Sequence, residues 1–467
     1  MATNVSRIVI AGMSGDSGKT IVSLGFLTAL RQRGFSVSVF KKGPDYIDPA
    51  WLSEAAGTAC RNLDTFMVEP AIVSQRFVSH AGDTDIAVIE GNRGIFDGRD
   101  AEGTHSTAEL AKLLGAPVVL VVNATKTTRT VAAVVKGCIE FDHDVNIAGV
   151  VLNRVAGKRH LAVISESIEA YCGVSVLGAI PRLGDNAALI PGRHLGLVTP
   201  AEFESGETLE NRLRDIAEDH LDIDAIIDIA RDAGPVDVET VAEIRNGKRG
   251  KTKVGYFKDT VFTFYYPENL EALEKHGARL IPISSLSDQK LPDIDALYIG
   301  GGFPETHAEQ LARNRSMMAS VKKAAADGLP IYAECGGLIY LARSLHWNEN
   351  VYPMVGVFPV DLEMHRRPAG HGYSITRVDT QNPFYPVGTS IRGHEFHYSA
   401  PIGGGENLAS CMTVDTGVGL GESRDGIFSG NTLACYTHIH SDGVPDWAPS
   451  LVSKAAAYAA NRNNRAA

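Results

Sequence analysis

A cysteine between a predicted strand and a glycine turn is well placed for nucleophilic chemistry. Cys335 follows the apolar run that starts at Pro330, and Gly336 and Gly337 come directly after it. A thiol on such a strand-to-helix turn is expected to be exposed, and the helix N-terminus is expected to lower its pKa. The backbone N–H of Gly336 can donate to a developing oxyanion. The pattern favours a catalytic thiol over a buried structural one.

Two other segments could supply the second oxyanion donor and the general base that such a nucleophile needs. The run Tyr298–Glu305 ends another predicted strand and is rich in glycine, so the backbone at Gly301 is a candidate second oxyanion donor. Near the end of the chain, Cys435–His440 offers His438 as a general base. These segments, together with the cysteine turn, predict a cysteine–histidine catalytic site.

The first half of the chain carries a candidate phosphate-binding loop. The predicted strand Ile8–Ala11 runs into a glycine-rich turn and then into a helical pattern. Backbone N–H groups in such a turn form an anion cradle, a lysine reaches the β and γ phosphates, and a threonine hydroxyl ligates Mg²⁺. The first glycine, Gly12, comes one residue earlier than in the standard pattern. The predicted nucleotide-binding residues are Gly15, Gly18, Lys19, Thr20 and Lys41.

Charged residues follow the next two predicted strands. Lys41 and Asp45 come after the second strand, Glu90 ends the third, and Asp97 lies shortly beyond. Ligands of open α/β sheets gather at the carboxyl ends of the strands, so these side chains should converge beside the triphosphate. Carboxylates there suit Mg²⁺, and we predict Thr20, Asp45 and Glu90 as its ligands. A simpler interpretation treats Asp45 and Asp97 as turn formers beside glycine or proline.

Two α/β domains are needed to position these residues. The chain has 467 residues, which is enough for two or three domains. Short β-branched runs alternate with helical patterns in the first half, which predicts a parallel sheet with crossover helices. We predict an ATP-binding domain at 1–230, a polar linker at 231–252 and a second α/β domain, with the cysteine–histidine site, at 253–460. The predicted strands are Ile8–Ala11, Ser36–Phe40, Ile86–Ile89, Val118–Val122, Gly149–Leu152, Lys253–Phe257, Arg279–Pro282, Ala296–Ile299 and Ile331–Ala333, and the predicted helices include Thr20–Arg33 and Thr107–Leu114.

The composition excludes several classes of protein. A net charge of -11 leaves no basic excess to neutralise phosphates, which argues against a nucleic-acid partner. The apolar run around 116–122 is far too short to span a bilayer, so we expect no membrane partner. The six cysteines form no C-x-x-C pair, and only a short polar stretch precedes the first predicted strand. These features favour a reducing, cytoplasmic setting.

Six motifs are spread along the chain: Ser14–Thr20, Lys42–Asp48, Arg61–Asp64, Gly300–Glu305, Glu334–Gly337 and Arg392–Ser399. Taken together, they resemble the cobyrinic acid a,c-diamide synthase family over essentially the whole chain. Arg392–Ser399 is the most specific of them, because the related cobyric acid synthase carries a different sequence there. The N-terminal half is also similar to dethiobiotin synthetase, which explains the displaced first glycine. The resemblance implies a P-loop NTPase-like parallel sheet followed by a class I glutamine amidotransferase α/β domain.

The resemblance implies a glutamine-dependent ligase that uses ATP and Mg²⁺. ATP phosphorylates a substrate carboxylate, glutamine is hydrolysed at Cys335 through a thioester with His438 as the base, and the ammonia displaces phosphate to give an amide. The implied substrate is a tetrapyrrole polycarboxylate such as cobyrinate, amidated on its a and c acetate side chains. By match to the family, Asp45, Glu90 and Asp97 serve the ATP-side chemistry, while Tyr46, Ile47 and Asp48 help to choose the carboxylate.

Several alternatives stay open at this stage. Relatives of the family amidate sirohaem or nickel-sirohydrochlorin, and a P-loop switch ATPase without amidation is a more distant alternative. The expected partners are glutamine, ATP and the tetrapyrrole, and self-association into a homodimer is left open. Class I glutaminases orient the catalytic histidine with a glutamate two residues later, whereas this chain has His440 there. A backbone carbonyl or another side chain must therefore hold the imidazole.

The histidine-containing motif Arg392–Tyr398 invites a metal-site interpretation. His394 and His397 are three residues apart, however, and no third cluster in the sequence has obvious ligand spacing. We therefore predict a structural or interface role for this motif and no metal.

Overall fold

A computed structural model describes residues 2–183, 190–193, 196–203, 206–238, 250, 252–403 and 409–466. The chain divides into two compact units, one formed by Met1–Thr65 and Glu69–Ala242, the other by Phe66–Val68 and Glu243–Ala467. Residues 239–249 and 251, which belong to the predicted linker 231–252, lie outside the described residues.

The first unit alternates strands with helices, as the sequence pattern predicts. Its strands are β1 (Ala2–Thr3), β2 (Arg7–Gly12), β3 (Val37–Lys42), β4 (Arg61–Leu63), β5 (Ile86–Glu90), β6 (Val118–Asn123), β7 (Ile147–Val155), β8 (Ser175–Pro181), β9 (Gly192–Arg193), β10 (Gly196–Leu197) and β11 (Val236–Asp237). Its helices are α1 (Lys19–Gln32), α2 (Ile47–Ala56), α3 (Pro70–Ala81), α4 (Thr107–Leu114), α5 (Thr130–Phe141), α6 (Lys158–Cys172), α7 (Gly206–His220) and α8 (Ile223–Arg231), with a 3₁₀ turn at Pro200–Glu202.

Within the described part of this unit, seven strands form one parallel sheet in the order β4-β3-β5-β2-β6-β7-β8. The central strands β2 and β5 are buried along their whole length. Continuous apolar strands are typical of parallel sheets because helices cover both faces. The short strands β1 and β11 pair with each other, as do β9 and β10. The sheet brings the loops after β2, β3 and β5 to one edge, where the candidate nucleotide site lies.

The second unit begins with the same alternation and then becomes rich in strands. Its strands are β12 (Thr252–Phe257), β13 (Ala278–Ile283), β14 (Ala296–Ile299), β15 (Ile331–Glu334), β16 (Ser344–Trp347), β17 (Asn350–Pro353), β18 (Asp361–Met364), β19 (Gly370–Val378), β20 (Ser390–His397), β21 (Ser399–Pro401), β22 (Ser410–Thr416), β23 (Arg424–Ser429) and β24 (Thr432–Cys435). Its helices are α9 (Pro267–Lys275), α10 (Ala308–Arg313), α11 (Arg315–Ala326), α12 (Gly336–Leu341) and α13 (Trp447–Ala466), with a 3₁₀ turn at Pro304–His307.

Nine of the described strands in this unit form a mixed sheet in the order β13-β12-β14-β15-β24-β23-β22-β19-β20. The pairs from β13 to β24 are parallel, and those from β24 to β20 are antiparallel. Four further strands form a second sheet in the order β17-β16-β18-β21. Strand β15, which precedes the cysteine, lies next to β24, which precedes the candidate base. Parallel neighbours end at the same edge, so this pairing brings the cysteine turn and the segment of the candidate base together.

The predicted strands all correspond to observed ones, with ends that differ by at most a few residues. The two predicted helices are α1 and α4. None of the helices in the described ranges is both long enough and apolar enough to cross a membrane.

Candidate active sites

The glycine-rich turn between β2 and α1 closes around the side chain of Lys19. Its Nζ donates to the backbone carbonyls of Ser14 at 2.9 Å and Arg93 at 2.7 Å. Burial lowers the pKa of Lys19 and the charge of Lys41 lowers it further, while Glu90 opposes both effects. A Cβ added at Gly12 would lie 2.9 Å from the Lys19 side chain. The displaced glycine therefore makes room for this lysine.

A residue that the sequence analysis missed supports the end of this turn. Asn153, on β7, donates from Nδ2 to the carbonyl of Ser17 at 2.9 Å. Gly18 has a φ of 96°, and a Cβ there would lie 2.0 Å from Asn153 Nδ2. Only glycine fits this position, because both the left-handed backbone and the close approach exclude a side chain. Asn153 directly follows the predicted strand Gly149–Leu152, so the strand-end argument that selected Glu90 also applies to it.

Lys41 is the centre of a buried cluster of charges. Its Nζ lies 2.7 Å from both Asp48 Oδ2 and Glu90 Oε1, and 3.1 Å from the carbonyl of Gly91. Burial lowers the pKa of Lys41, but the charges of Asp48 and Glu90 outweigh it and the net direction is upward. For Glu90, burial raises the pKa and Lys41 opposes it, with a net rise. The structure thus brings Lys41 and Glu90 together, as expected for residues at the ends of adjacent strands, and Asp48 joins them from the first turn of α2.

Asp45 and Asp97 both stabilise turns. Asp45 Oδ1 accepts from the N–H of Ile47 at 2.8 Å and of Asp48 at 3.3 Å. Burial, followed by the charge of Asp48, raises the pKa of Asp45 to about 7. Asp97 Oδ2 accepts from the N–H of Gly94 at 2.8 Å. These contacts agree with the simpler, turn-forming interpretation of both residues, and their role toward ATP stays a prediction.

The three candidate substrate residues form the start of α2. Tyr46 precedes the helix, while Ile47 and Asp48 belong to its first turn. Ile47 is buried, with 7% of its surface exposed, whereas Tyr46 and Asp48 are half-buried. Asp48 is also bound to Lys41. Of the three, Tyr46 and Asp48 therefore offer surface to a ligand, and Asp48 links that surface to the charge cluster.

The predicted magnesium ligands fit a hard cation in part. Thr20 Oγ1 lies 3.5 Å from Glu90 Oε1. The other carboxylate oxygen, Glu90 Oε2, is buried and has no hydrogen-bond partner among the described residues. The described residues contain no cluster of three histidine, cysteine or carboxylate side chains suited to a metal. Mg²⁺ beside a nucleotide needs few protein ligands, since phosphates and water complete its octahedron, so Thr20 and Glu90 are compatible with it.

Cys335 lies on a strained turn between β15 and α12. Its φ is 46° and its ψ is -97°, a backbone conformation that L side chains rarely adopt. Its N–H donates to the carbonyl of Cys435 at 2.8 Å, and its carbonyl accepts from the N–H of Ile339 at 3.0 Å. These bonds anchor the turn to strand β24 on one side and to helix α12 on the other.

The expectation of an exposed thiol with a lowered pKa is wrong. Only 5% of the surface of Cys335 is exposed. Burial raises the pKa of its thiol and the charge of Glu305 raises it further, which outweighs the favourable N–H of Gly336. The strand-to-helix turn is thus present as predicted, but the surrounding elements cover it. A thiol in this state needs a base to remove its proton before it can attack.

The two predicted oxyanion glycines lie close together beside the candidate base. A Cβ added at Gly336 would lie 3.0 Å from the backbone N of Gly302 and 3.3 Å from the backbone C of Gly301. A Cβ added at Gly301 would lie 2.6 Å from Cε1 and 3.3 Å from Nε2 of His438. A side chain at Gly301 would collide with the imidazole ring, and one at Gly336 would have very little room. The structure therefore assembles Gly301, Gly336 and His438 around the cysteine turn.

His438 is held through both its backbone and its ring. Its N–H donates to the carbonyl of His394 at 2.8 Å, and the N–H of His394 donates back at 3.2 Å. The two imidazole rings stack with centroids 4.9 Å apart. Nδ1 of His438 lies 3.1 Å from Oε2 of Glu334. The side chain that holds the imidazole is therefore the residue directly before the cysteine, which the sequence analysis did not identify.

The residue at the usual glutamate position does not perform this task. His440 lies two residues after His438, and its Nε2 is 3.6 Å from Glu268 Oε2. Its ring packs against that of Tyr266, with centroids 5.1 Å apart. Both His440 and Glu268 are buried. A histidine–carboxylate pair is thus present here as well, but the imidazole in it is not the candidate base.

Most of the motif Arg392–Ser399 belongs to strand β20, which passes beside Cys335 and His438. Glu395 accepts from the N–H of Gly419 at 2.8 Å, and the ring of His397 stacks on Tyr436 with centroids 3.6 Å apart. The sulfur of Cys335 lies 3.9 Å from the carbonyl of Phe396. With His394 paired to the candidate base, this motif supports the catalytic segments directly. Its contacts fit the structural role predicted for it.

Comparison with known proteins gives matches to both units. Residues 8–194 match a family described as the CobQ/CobB/MinD/ParA nucleotide binding domain, and residues 253–445 match a CobB/CobQ-like glutamine amidotransferase domain. Cobyrinate a,c-diamide synthase of Magnetococcus marinus is 42% identical over 458 residues, which cover 97% of each chain. The enzyme of that name from Archaeoglobus fulgidus is 41% identical over 97% of this chain and 98% of its own length.

The chain belongs to the cobyrinate a,c-diamide synthase family. This membership confirms the resemblance drawn from the motifs. It also confirms the fold class, because a nucleotide-binding domain precedes a glutamine amidotransferase domain. A relative from Listeria monocytogenes is 41% identical over 93% of this chain and 96% of its own. The likeness therefore extends through both units and the segment that joins them.

Proposed function

We propose that this protein is a glutamine-hydrolysing ligase that uses ATP to amidate the a and c acetate side chains of cobyrinate. The single observation that carries this proposal is the match of nearly the full chain to enzymes named cobyrinate a,c-diamide synthase. The geometry supports it independently. A phosphate loop with its lysine lies in one unit, and a cysteine turn with its histidine lies in the other.

The glutaminase reaction follows from the arrangement around Cys335. His438 accepts the thiol proton, and the sulfur attacks the carboxamide carbon of glutamine. The N–H groups near Gly301 and Gly336 stabilise the oxyanion of the tetrahedral intermediate. When it collapses, the C–N bond breaks and His438 returns the proton to the leaving ammonia. Water then attacks the thioester, with His438 as the base, to release glutamate and restore the thiol.

The ligase reaction belongs to the loop and charge cluster of the first unit. We propose that Gly15, Gly18 and Lys19 bind the triphosphate of ATP, and that Thr20 and Glu90 bind its Mg²⁺. A substrate carboxylate oxygen attacks the γ-phosphorus and ADP leaves. Ammonia then attacks the resulting acyl phosphate, loses a proton and displaces phosphate, which leaves an amide. Lys41 holds Glu90 and Asp48 in place for these steps.

The names of the relatives help to identify the substrate. The relatives from Magnetococcus marinus, Archaeoglobus fulgidus and Listeria monocytogenes are all named for cobyrinate, which favours cobyrinate over sirohaem or nickel-sirohydrochlorin. Their likeness across both units argues against a P-loop switch ATPase, because such a switch needs no glutaminase. The six cysteines are free, which supports a cytoplasmic setting. The substrate is tested by incubating the enzyme, ATP and glutamine with each tetrapyrrole, where we expect diamide to form from cobyrinate and not from sirohaem.

Substitutions at the start of α2 are expected to change which carboxylates are amidated. Tyr46→Ala and Asp48→Asn alter the half-buried surface at the edge of the charge cluster but leave the phosphate loop intact. Because phosphoryl transfer depends on positioning, a misplaced carboxylate loses rate steeply. The ratio of monoamide to diamide, measured by mass spectrometry, should therefore change while ATP affinity is retained.

A control variant on the same helix is Glu54→Gln, whose side chain is exposed. It should leave both the product ratio and the ATP affinity unchanged. If the Tyr46 and Asp48 variants give the wild-type product pattern with weakened ATP binding, these residues belong to the nucleotide site and not to the substrate site.

A further inference from the structure

The residue before the nucleophile takes the place of the glutamate that class I glutaminases carry after the base. Glu334 ends strand β15, and its carboxylate lies 3.1 Å from Nδ1 of His438, a residue 104 positions later in the chain. Both side chains are buried, with 0% and 2% of their surface exposed. Two polar groups in such contact, away from water, interact strongly because the local dielectric is low.

We propose that Glu334 is the positioning residue of the glutaminase, forming a Cys335–His438–Glu334 triad in which neighbouring residues supply the nucleophile and the orienting carboxylate. This inference rests on the proposed function, since it concerns the same glutaminase site. A carboxylate in this position accepts a hydrogen bond from Nδ1–H of His438, which keeps the proton on Nδ1 and so fixes the tautomer. Nε2 then carries the lone pair that removes the thiol proton of Cys335.

The contacts of the imidazole ring favour the tautomer with its proton on Nδ1. The Cε1–Nε2 edge of His438 faces the backbone of Gly301, since a Cβ there would lie within 3.3 Å of Nε2. One face of the ring stacks on His394, and the backbone pairing between these two histidines fixes the position of Cα. Nδ1 is thus directed at Glu334 and Nε2 at the glycine-lined side where the oxyanion donors lie.

The carboxylate of Glu334 also stabilises the positive charge that forms on His438 when it takes a proton. Burial raises the pKa of Glu334, while its hydrogen bond with His438 and the nearby Ile439 N–H and Tyr298 hydroxyl oppose that rise. When His438 takes the proton of Cys335, the imidazolium forms next to this carboxylate and the two charges offset each other. Stabilising the protonated base favours thiolate formation in a place where burial disfavours it.

Steady-state glutaminase kinetics of Glu334→Gln test this proposal. Glutamine replaces the carboxylate at the same length, so packing is retained while the charge is lost. We expect kcat for glutamine hydrolysis to fall by about 100-fold to 10,000-fold, as for other orienting carboxylates. KM for glutamine should stay within about threefold, and amide synthesis from free ammonia should continue, because neither depends on the tautomer.

Glu268→Gln provides a matched control, since it removes a buried carboxylate from the other histidine pair, Glu268 and His440. We expect its kcat to stay within about threefold of wild type. Equal losses in the two variants would assign the effect to a buried charge in general and would overturn the specific role of Glu334. Retention of kcat by folded Glu334→Gln would overturn it as well.

A spectroscopic measurement on the wild-type enzyme keeps the inference testable if Glu334→Gln does not fold. The Nδ1 proton shared by His438 and Glu334 should give a proton resonance downfield of the backbone amides, absent from His438→Asn. Absence of that resonance from the wild-type spectrum would contradict the proposal. If the wild-type enzyme does not hydrolyse glutamine at all, the proposed function fails instead, so the two failures are distinguishable.

Discussion

Replacing Cys335 with serine should abolish glutamine-dependent amidation and leave ammonia-dependent amidation close to the wild-type rate. In the proposed mechanism the thiol of Cys335 is the nucleophile of the glutaminase, and a hydroxyl in the same place is far less easily ionised. We expect glutamine hydrolysis to fall at least about 1,000-fold, the loss typical when a catalytic nucleophile is replaced. The phosphate loop and charge cluster, which we propose activate the carboxylate, lie in the other unit and are unchanged.

The control for this variant is Cys411→Ser, which makes the same change at another fully buried cysteine. Cys411 lies within strand β22 and has no strained turn, so glutaminase activity should be retained. Both reactions are measured by the release of glutamate and by the mass of the tetrapyrrole product. Loss of ammonia-dependent synthesis in folded Cys335→Ser would show that the two half-reactions are not separate.

Lys19→Ala should remove amide synthesis with either source of nitrogen. The glycine-rich turn encloses Lys19, and in the proposed mechanism this lysine neutralises the β and γ phosphates, so its loss removes charge stabilisation from phosphoryl transfer. We expect the rate of synthesis to fall by about 100-fold or more, whether glutamine or ammonia is supplied. Glu90→Gln should have the same effect through loss of the Mg²⁺ ligand.

The Glu90 variant needs a separate test of folding because Glu90 pairs with the fully buried Lys41. Removing one partner of a buried ion pair is strongly destabilising. Thermal unfolding of Glu90→Gln is therefore compared with that of Glu109→Gln, which changes a half-exposed glutamate on α4.

Lys158→Ala, at an exposed lysine, is the control for Lys19→Ala. Near-normal ammonia-dependent synthesis in folded Lys19→Ala would refute the assignment of the nucleotide site.

Local sequence patterns were sufficient to predict the main elements of both catalytic segments. Strands that run directly into glycine turns, such as β2 and β15, are recognisable because the apolar run and the turn residues are adjacent in sequence. The convergence of Lys41 and Glu90 was also predictable, since parallel neighbouring strands end at one edge of a sheet. These inferences need only short-range sequence and the geometry of a parallel sheet.

The features that the sequence did not reveal depend on contacts between distant segments. The sulfur of Cys335 lies beside the carbonyl of Phe396 on β20, and the sequence analysis predicted none of the strands in the antiparallel half of the second sheet. The contact of Glu334 with His438 joins residues 104 positions apart, and no spacing rule connects them. The turn-forming role of Asp97, by contrast, was one of two open interpretations, because a carboxylate beside glycine serves either purpose.

The central claim, that this chain moves the amide nitrogen of glutamine onto a tetrapyrrole carboxylate at the expense of ATP, is tested most directly with isotopically labelled glutamine. The wild-type enzyme is incubated with cobyrinate, ATP, Mg²⁺ and glutamine that carries nitrogen-15 in its amide, and the product is analysed by mass spectrometry. We predict a cobyrinate diamide with nitrogen-15 in both new amides and ADP formed in step with each amide. Glutamine hydrolysis and ATP turnover without nitrogen-15 in the tetrapyrrole would contradict the account.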